Sequence, residues 1–456
     1  VGCGRIGQKK HVPALIETQD LFETVAVCDL VEERANRAAE HFEKSGLRRP
    51  ETMTNYRELL KREDVDVISI ATESGKHYQI TMEALEAGKH VLVEKPMALS
   101  TKHMNEMVEL SKRKNLKLGV FFQNRFNPPV QEVRKKLDSG AFGKIFYASV
   151  AVRWNRNEDY YKQASWRGTW EMDGGVLMNQ STHAIDLLQW FLGGEIEEIY
   201  GHIANTNHPY IEAEDEGFAI VKFKGGKTGL IEATSNVFPR NLEETLAIFG
   251  EKGTVVIGGI AVNRILTWRF EGEEGHPFMN LPDPDTVYGD SHKYVYRDFY
   301  EAVTNDRKPY ISGEDGKKAV EIVLGIYRSF LEGRPVKYPF DFSTEEMKGV
   351  NFDEKTGCLF HSALQRVHIR DDDLFWCFLD QGSCSSDAAF VEIRSSVRSQ
   401  SRCGRLVQVD HRSVRPRRNT PHTVQFIRAL LLWLDRGGYI RNGEVPGRLF
   451  LHRNRG

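Results

Sequence analysis

Three glycines within the first seven residues, Gly2, Gly4 and Gly7, constrain this chain more than any other feature. In the pattern G-x-G-x-x-G the first glycine permits a tight turn and the second lets the backbone come close to a ligand. The third lets a helix pack near the preceding strand. A helix that begins here, through Arg5 and Ile6, aims unpaired N–H groups and a partial positive charge at that turn. Alone, such a turn is common and is compatible with a simple helix cap. Its weight comes from a second apolar strand, 22–28, that ends in Asp29, about twenty residues beyond the last glycine. A carboxylate there accepts hydrogen bonds from the ribose hydroxyls of an adenine dinucleotide and repels a 2′-phosphate, so NAD is expected rather than NADP. Only Val1 precedes the motif, so roughly five residues of a normal first strand are expected to be missing.

The first third of the chain repeats one texture. Apolar runs at 22–28, 65–71, 90–93 and 116–122 read as buried strands; between them, 31–44, 77–88 and 101–114 have the i, i+3, i+4 apolar spacing of helices. Strands separated by helices predict a parallel, doubly wound sheet. From about residue 144 the texture changes. Strands at 145–152, 196–202, 217–223 and 228–233 follow one another through turns such as Gly225-Gly226, which predicts an antiparallel sheet. Helices at 174–191, 291–303 and 314–331 interrupt and close it. The expected organisation is α/β plus α+β: an NAD-binding Rossmann domain over 1–125, an open antiparallel-sheet domain for substrate binding and oligomerisation over 126–340, and a tail over 341–456.

The tail differs in composition. From residue 350 on there is one lysine, Lys355, among many arginines, including Arg415-Pro416-Arg417-Arg418. Four of the six cysteines, Cys358, Cys377, Cys384 and Cys403, also lie there. That break points to a read-through, frameshifted or fused segment, or to a disordered one. A small basic nucleic-acid or anion module is the functional alternative, without a known motif in its favour. The whole chain has a formal net charge of -2, which gives no reason to expect nucleic-acid or membrane-surface partners. Its longest uncharged apolar run, 429–434, is far short of a bilayer span, and no signal-peptide pattern opens the chain. The cysteines show no repeated C-x-x-C spacing, so neither a disulfide scaffold nor a metal site is expected; a reducing cytoplasm is the expected location.

The run Gly88-Lys89-His90-Val91-Leu92-Val93-Glu94-Lys95-Pro96 places Glu-Lys-Pro at the end of a sheet strand, where ligands of such sheets bind. With Ala71-Thr72-Glu73-Ser74-Gly75-Lys76-His77, Gln123-Asn124-Arg125-Phe126 and Gly174-Gly175-Val176-Leu177 leading to His183 and Asp186, it resembles the Gfo/Idh/MocA oxidoreductase family over residues 1 to about 340. Within the family, Arg153-Trp154-Asn155-Arg156, Tyr160-Tyr161 and Trp166-Arg167-Gly168-Thr169-Trp170-Glu171-Met172-Asp173-Gly174-Gly175 are most similar to the branch that oxidises the 3-hydroxyl of UDP-N-acetylglucosaminuronate in surface-polysaccharide synthesis. The resemblance implies an NAD-dependent sugar dehydrogenase, with Thr72, His77, Glu94, Lys95 and Gln123 joining Gly2, Gly4, Arg5, Ile6, Gly7 and Asp29 at the cofactor. His77 would equally serve as a helix cap. The resemblance also implies a homodimer or homotetramer formed through the open sheet face.

Sugar and inositol dehydrogenases of the family usually have Asp four residues before the histidine; here the residue is Asn179, as in the sugar-nucleotide branch. Asn179 and His183 are i and i+4 and share a helix face, and Asp186 stands where it could orient the His183 ring. A neutral imidazole suits proton acceptance as hydride leaves the same carbon. Lys95, partly buried beside the nicotinamide, would have a lowered pKa and could serve instead; the choice of base between the two is left open. A core histidine is the alternative for His183. Arg156 and Arg167 suit two-pronged recognition of phosphate or carboxylate. Arg125 is a further candidate, with Tyr160, Trp166 and Asn179 beside the substrate. The aromatics could instead be core or subunit-interface residues. Competing functions are a free-sugar or inositol dehydrogenase and a non-catalytic NAD-binding regulator.

Overall fold

The computed structural model describes residues 1–352, apart from 285, 286 and 288, and five short strands beyond them. It divides into two compact units, Val1–Phe352 and Asp353–Gly456. In the second unit Leu374–Cys377, Phe390–Ile393 and Val414–Pro416 pair antiparallel in that order, and Leu406–Val407 pairs with Ile440–Arg441. Of the tail features singled out in the sequence, Cys358, Cys384, Cys403, Arg417, Arg418 and the 429–434 run lie outside the described residues.

The first unit begins as a parallel sheet. Strands β1 (Ala26–Cys28) and β2 (Glu51–Met53) pair parallel, as do β3 (Val67–Ile70), β4 (His90–Glu94) and β5 (Leu118–Phe121). Val1 and Gly2 join the two groups: the Val1 amine donates to the Ser69 carbonyl at 2.7 Å and the Gly2 N–H donates to the Cys28 carbonyl at 2.8 Å. Helices α2 (Glu32–Lys44), α4 (His77–Glu86) and α5 (Thr101–Arg113) connect the strands. Ile70, Val91, Val93, Val120 and Phe121 are fully buried. Such continuous apolar runs are what a sheet covered on both faces requires.

The second half is a nine-stranded sheet, larger than the four strands expected. Its strands are β6 (Ile145–Arg153), β7 (Ile196–Ala204), β8 (Glu216–Phe223), β9 (Thr228–Thr234), β10 (Glu243–Gly250), β11 (Gly253–Gly258), β12 (Arg264–Phe270), β13 (Glu273–Glu274) and β14 (Val336–Lys337). The order is β13-β12-β11-β10-β6-β9-β8-β7-β14. It is antiparallel throughout except that β6 and β9 run parallel, so the expected purely antiparallel sheet is mixed. The cause is connectivity: after β6 the chain crosses the sheet through a helix and the β7–β8 hairpin before β9 settles against β6.

Two helices cover one sheet face, α8 (Thr182–Leu192) and α10 (Gly313–Glu332). Glycines on the strands let them approach: a side chain at Gly201 would strike Ile326, and one at Gly229 would press on Leu188. Helix α10 also contacts the first sheet, where Gly316 lies against Val120. It is therefore a shared spine of both halves. Residues 341–352, grouped with the tail in the sequence, pack on this unit. Met347 is fully buried and the Thr101 N–H donates to the Phe342 carbonyl at 3.0 Å.

One buried ion pair locks the two halves. Arg125, just after β5, grips Asp186 of α8 with two parallel hydrogen bonds of 2.6 and 2.7 Å, both side chains being 1% exposed. Breaking such a pair leaves an uncompensated buried charge. Asp186→Asn is expected to cost about 3–5 kcal/mol, read as a fall in the urea midpoint at unchanged slope. A loss below about 1 kcal/mol would mean the pair behaves like a surface contact.

Candidate active site

The glycine turn has the geometry its spacing implies. Gly2 sits at φ +90°, and a Cβ there would come within 2.5 Å of the Ala71 carbonyl. At Gly7 a Cβ would strike the Gly2 carbonyl, so the helical segment 5–17 packs directly on the turn. At Gly4 there is nothing within 4 Å of the same position, which leaves an open cradle above the backbone. Asp29 braces this turn from the end of β1: one carboxylate oxygen accepts the Cys3 N–H at 2.8 Å and the other accepts the Val31 N–H at 2.9 Å. A closed turn beside an open second glycine is what a dinucleotide pyrophosphate needs. Arg5 instead reaches outward to Gln163, at 3.1 Å.

Around the ends of β3 and β4, His77 is buried with its Nδ1 2.8 Å from the Pro96 carbonyl and its Nε2 3.1 Å from the Thr72 carbonyl. It thus joins the Thr72 loop to the Glu-Lys-Pro turn, and burial lowers its pKa. The Lys95 amine crosses to the other half and donates to the main-chain carbonyl of Asn179 at 2.5 Å. Burial lowers the Lys95 pKa, against the pull of Glu94 and Asp173, which raise it.

The segment that receives Lys95 is not the single helix expected over 174–191. Val176–Gln180 forms a π-turn and α8 starts only at Thr182. The reason lies in Glu214, which is fully buried. Its main-chain carbonyl accepts the Val176 N–H at 3.0 Å, and its carboxyl meets the Leu177 N–H at 2.9 Å and the Tyr327 hydroxyl at 2.8 Å. A side chain at Gly175 would run into that carboxyl, so glycine is required there. Burial pushes Glu214 up to about 8, so it is mostly uncharged at neutral pH.

His183, one residue into α8, accepts a hydrogen bond at Nε2 from the Gln123 amide at 3.4 Å, and its Nδ1 has no partner among the described residues. Burial, then the charge of Lys95, pushes it down to about 3, so it is neutral at physiological pH. The expected Asp186–His183 contact is absent, because Asp186 is bonded to Arg125 and Gln189. Arg125 is thereby spent on structure and buried, away from the substrate role expected for it. Asn179 is held from the side by Asp173, whose carboxylate accepts its amide hydrogen bond and is itself pushed up to about 6 by burial.

Next to Asp173 lies the aromatic and arginine segment. The Arg156 guanidinium stacks over Trp154 at 4.7 Å and Tyr160 at 4.9 Å; Arg167 stacks over Tyr160 at 4.4 Å and Trp166 at 4.8 Å. Arg167 donates to the Tyr160 hydroxyl at 2.6 Å, and Arg156 donates to the Asn155 carbonyl at 2.7 Å. The Nε atoms of both are buried without a partner, and neither arginine has an acidic partner within 4.0 Å among the described residues. Buried donors left without a partner are free to meet an anion. Sequence reading missed Asp173, Glu214 and Glu244. Glu244 stands out in retrospect as a charged residue at an inward position of β10, buried with one carboxyl oxygen unpartnered and pushed up to about 8.

Comparison with known proteins agrees with this geometry. Residues 1–122 match the NAD-binding Rossmann domain of the Gfo/Idh/MocA oxidoreductase family, and residues 130–256 match a C-terminal domain of that family. The WlbA dehydrogenase from Bordetella pertussis, solved in complex with NADH and UDP-GlcNAcA, is 36% identical with a TM-score of 0.66; the match covers 75% of this chain and 98% of that one. Scyllo-inositol 2-dehydrogenase (NAD(+)) of Bacillus subtilis is 25% identical over 342 residues, 74% of this chain and 94% of the relative. Myo-inositol 2-dehydrogenase of Thermotoga maritima is 23% identical over the same length, covering 97% of that protein. With a glycine turn shaped for a dinucleotide and relatives solved with NADH, the chain belongs to the Gfo/Idh/MocA family of NAD-dependent oxidoreductases.

Proposed function

We propose that this protein oxidises a hydroxyl of a sugar nucleotide carrying a uronate, in the manner of a UDP-N-acetylglucosaminuronate 3-dehydrogenase. The observation that supports this over a free sugar or inositol is the pair of arginines, Arg156 and Arg167, stacked on aromatic rings with their Nε donors unspent. A cyclitol offers such a site no charge to bind, whereas a diphosphate and a carboxylate offer several. Bound NAD would supply the hydride acceptor; Gly2, Gly4, Gly7 and Asp29 would hold it, with Arg5, Ile6, Thr72, His77 and Gln123 close by.

The chain's own residues divide the remaining work. Lys95 is the better proton acceptor, because a base works best with a pKa near the operating pH, and burial brings its amine down toward that range. His183, held neutral and with Nε2 taken by Gln123, orients the substrate hydroxyl through its unpartnered Nδ1. Asn179 and Asp173 fix the carbonyl that aims the lysine. Tyr160 and Trp166 form the platform for the arginines. A cytoplasmic setting suits the buried free thiols Cys3 and Cys28, and no helix among the described residues is long and apolar enough to cross a membrane. A homo-oligomer is part of the proposal. Tyr200, Ile220 and Leu230 lie opposite one another on β7, β8 and β9 and are 41%, 43% and 39% exposed, an apolar row suited to a second copy.

Four measurements test the reading. With NAD and a panel of UDP-uronates, UDP-hexoses and inositols, reduced-nicotinamide absorbance is expected to grow fastest with a UDP-uronate. Arg167→Met should raise its KM roughly tenfold or more, the worth of one charge-assisted hydrogen bond; an unchanged KM would shift the assignment to the free-sugar reading. Gly4→Val should keep the thermal midpoint but weaken NAD binding roughly tenfold by fluorescence titration, since only the open cradle is filled. The acid limb of kcat/KM should report Lys95, activity falling as pH drops and the amine takes up a proton. A limb near the ordinary histidine value that vanishes in His183→Asn would instead make the imidazole the base.

A further inference from the structure

Behind Lys95 lies a buried network that the reaction scheme above does not use. Glu94 ends β4 and is 7% exposed. One of its oxygens accepts the main-chain N–H of Lys95 at 3.0 Å; the other lies 2.9 Å from His11 Nε2 and 3.7 Å from His292 Nε2. His11 Nδ1 is 2.8 Å from the Tyr296 hydroxyl, which is 2.8 Å from the Ser69 hydroxyl. The network thus draws on the first helical segment, on β3 and β4, and on helix α9 (His292–Thr304). His292 is 1% exposed, and its ring nitrogens make no hydrogen bond among the described residues.

Burying a lone carboxylate is costly, and the usual outcome is a proton on it. Here the two imidazoles oppose that outcome: despite burial, Glu94 is held well below the usual carboxylate range. The other charged groups that act on Lys95 are Asp173 ahead of the π-turn, Glu244 on β10 and Arg167, while Lys95 in turn bears on His183. Asp173 is pushed up to about 6 and Glu244 to about 8, so their charges vary across the working pH range. Glu94 is the acid among them whose negative charge stays constant over that range.

We infer that Glu94, backed by His11 and His292, is a positioning residue that keeps a fixed negative charge beside Lys95 and sets the pH at which the lysine amine gives up its proton. The inference rests on the reading of Lys95 as proton acceptor, but its test does not require turnover. Competitive acylation of the full chain with acetic anhydride, read by peptide mass spectrometry across pH, gives the Lys95 midpoint directly, because only the neutral amine reacts. Glu94→Gln is expected to move that midpoint to lower pH, and Glu94→Asp to return it toward the parent value. Should Glu94→Gln fail to fold, the His11→Asn, His292→Asn double variant lets the carboxyl take up a proton more readily and should move the midpoint the same way. An unchanged midpoint in a folded variant overturns the inference, even if kcat falls, since a merely structural brace would do that. A stoichiometric divalent ion in the purified protein would also overturn it, because the trio would then be ligating a metal. If no sugar is oxidised but the midpoint still moves, the proposed function fails and the inference stands.

Discussion

The hydrogen bond from the Lys95 amine to the Asn179 main-chain carbonyl, 2.5 Å long, spans the two halves of the first unit. Lys95 comes from the C-terminal end of β4, between β3 and β5 in the parallel sheet, and Asn179 from a turn that leads into a helix on a mixed sheet. Neither element alone would place a cation in a cleft. The geometry holds because both ends are immobilised: Glu94 grips the lysine's own N–H, and Asp173 grips the Asn179 side chain. A side chain with four rotatable bonds is thereby held to a narrow range of positions, as the proposed role of proton acceptor requires.

The π-turn at Val176–Gln180 follows from the same need. A regular helix from Gly174 would satisfy its early N–H groups within the helix or with water. Here Glu214 takes two of them from below, and the buried carboxyl stays uncharged, so no ion is stranded in the core. The single helix that would have set Asn179 and His183 on one face is interrupted, and the Asn179 carbonyl meets Lys95 from the π-turn. The Arg125–Asp186 pair stands beneath this arrangement and ties the turn that follows β5 to the helix that bears His183.

Charge in the cleft is unbalanced on purpose only at its rim. Inside, Lys95 is opposed by Glu94, while Asp173 and Glu244 are pushed toward their neutral forms. At the rim, Arg156 and Arg167 have aromatic neighbours and, among the described residues, no acid in ion-pair contact. Surplus positive charge there, with donors already dehydrated, loses less on binding an anion than a fully hydrated arginine would.

Much of this was legible in the chain itself. The spacing of Gly2, Gly4 and Gly7 determined three distinct backbone roles, because glycine's freedom and small size are local properties. The alternation of strands and helices determined the parallel sheet, and the aromatics around Arg156 and Arg167 singled out a candidate binding segment. What the chain left open depends on partners far apart in sequence. Asp186 is three residues from His183 yet pairs with Arg125, 61 positions away, because a buried guanidinium competes for it more strongly than an imidazole. The β6–β9 pairing, the break before α8 and the anionic state of Glu94 depend on which faces meet after folding. Local sequence specifies propensity and spacing; burial and long-range pairing, which decide charge state and aim, exist only once the chain has closed on itself.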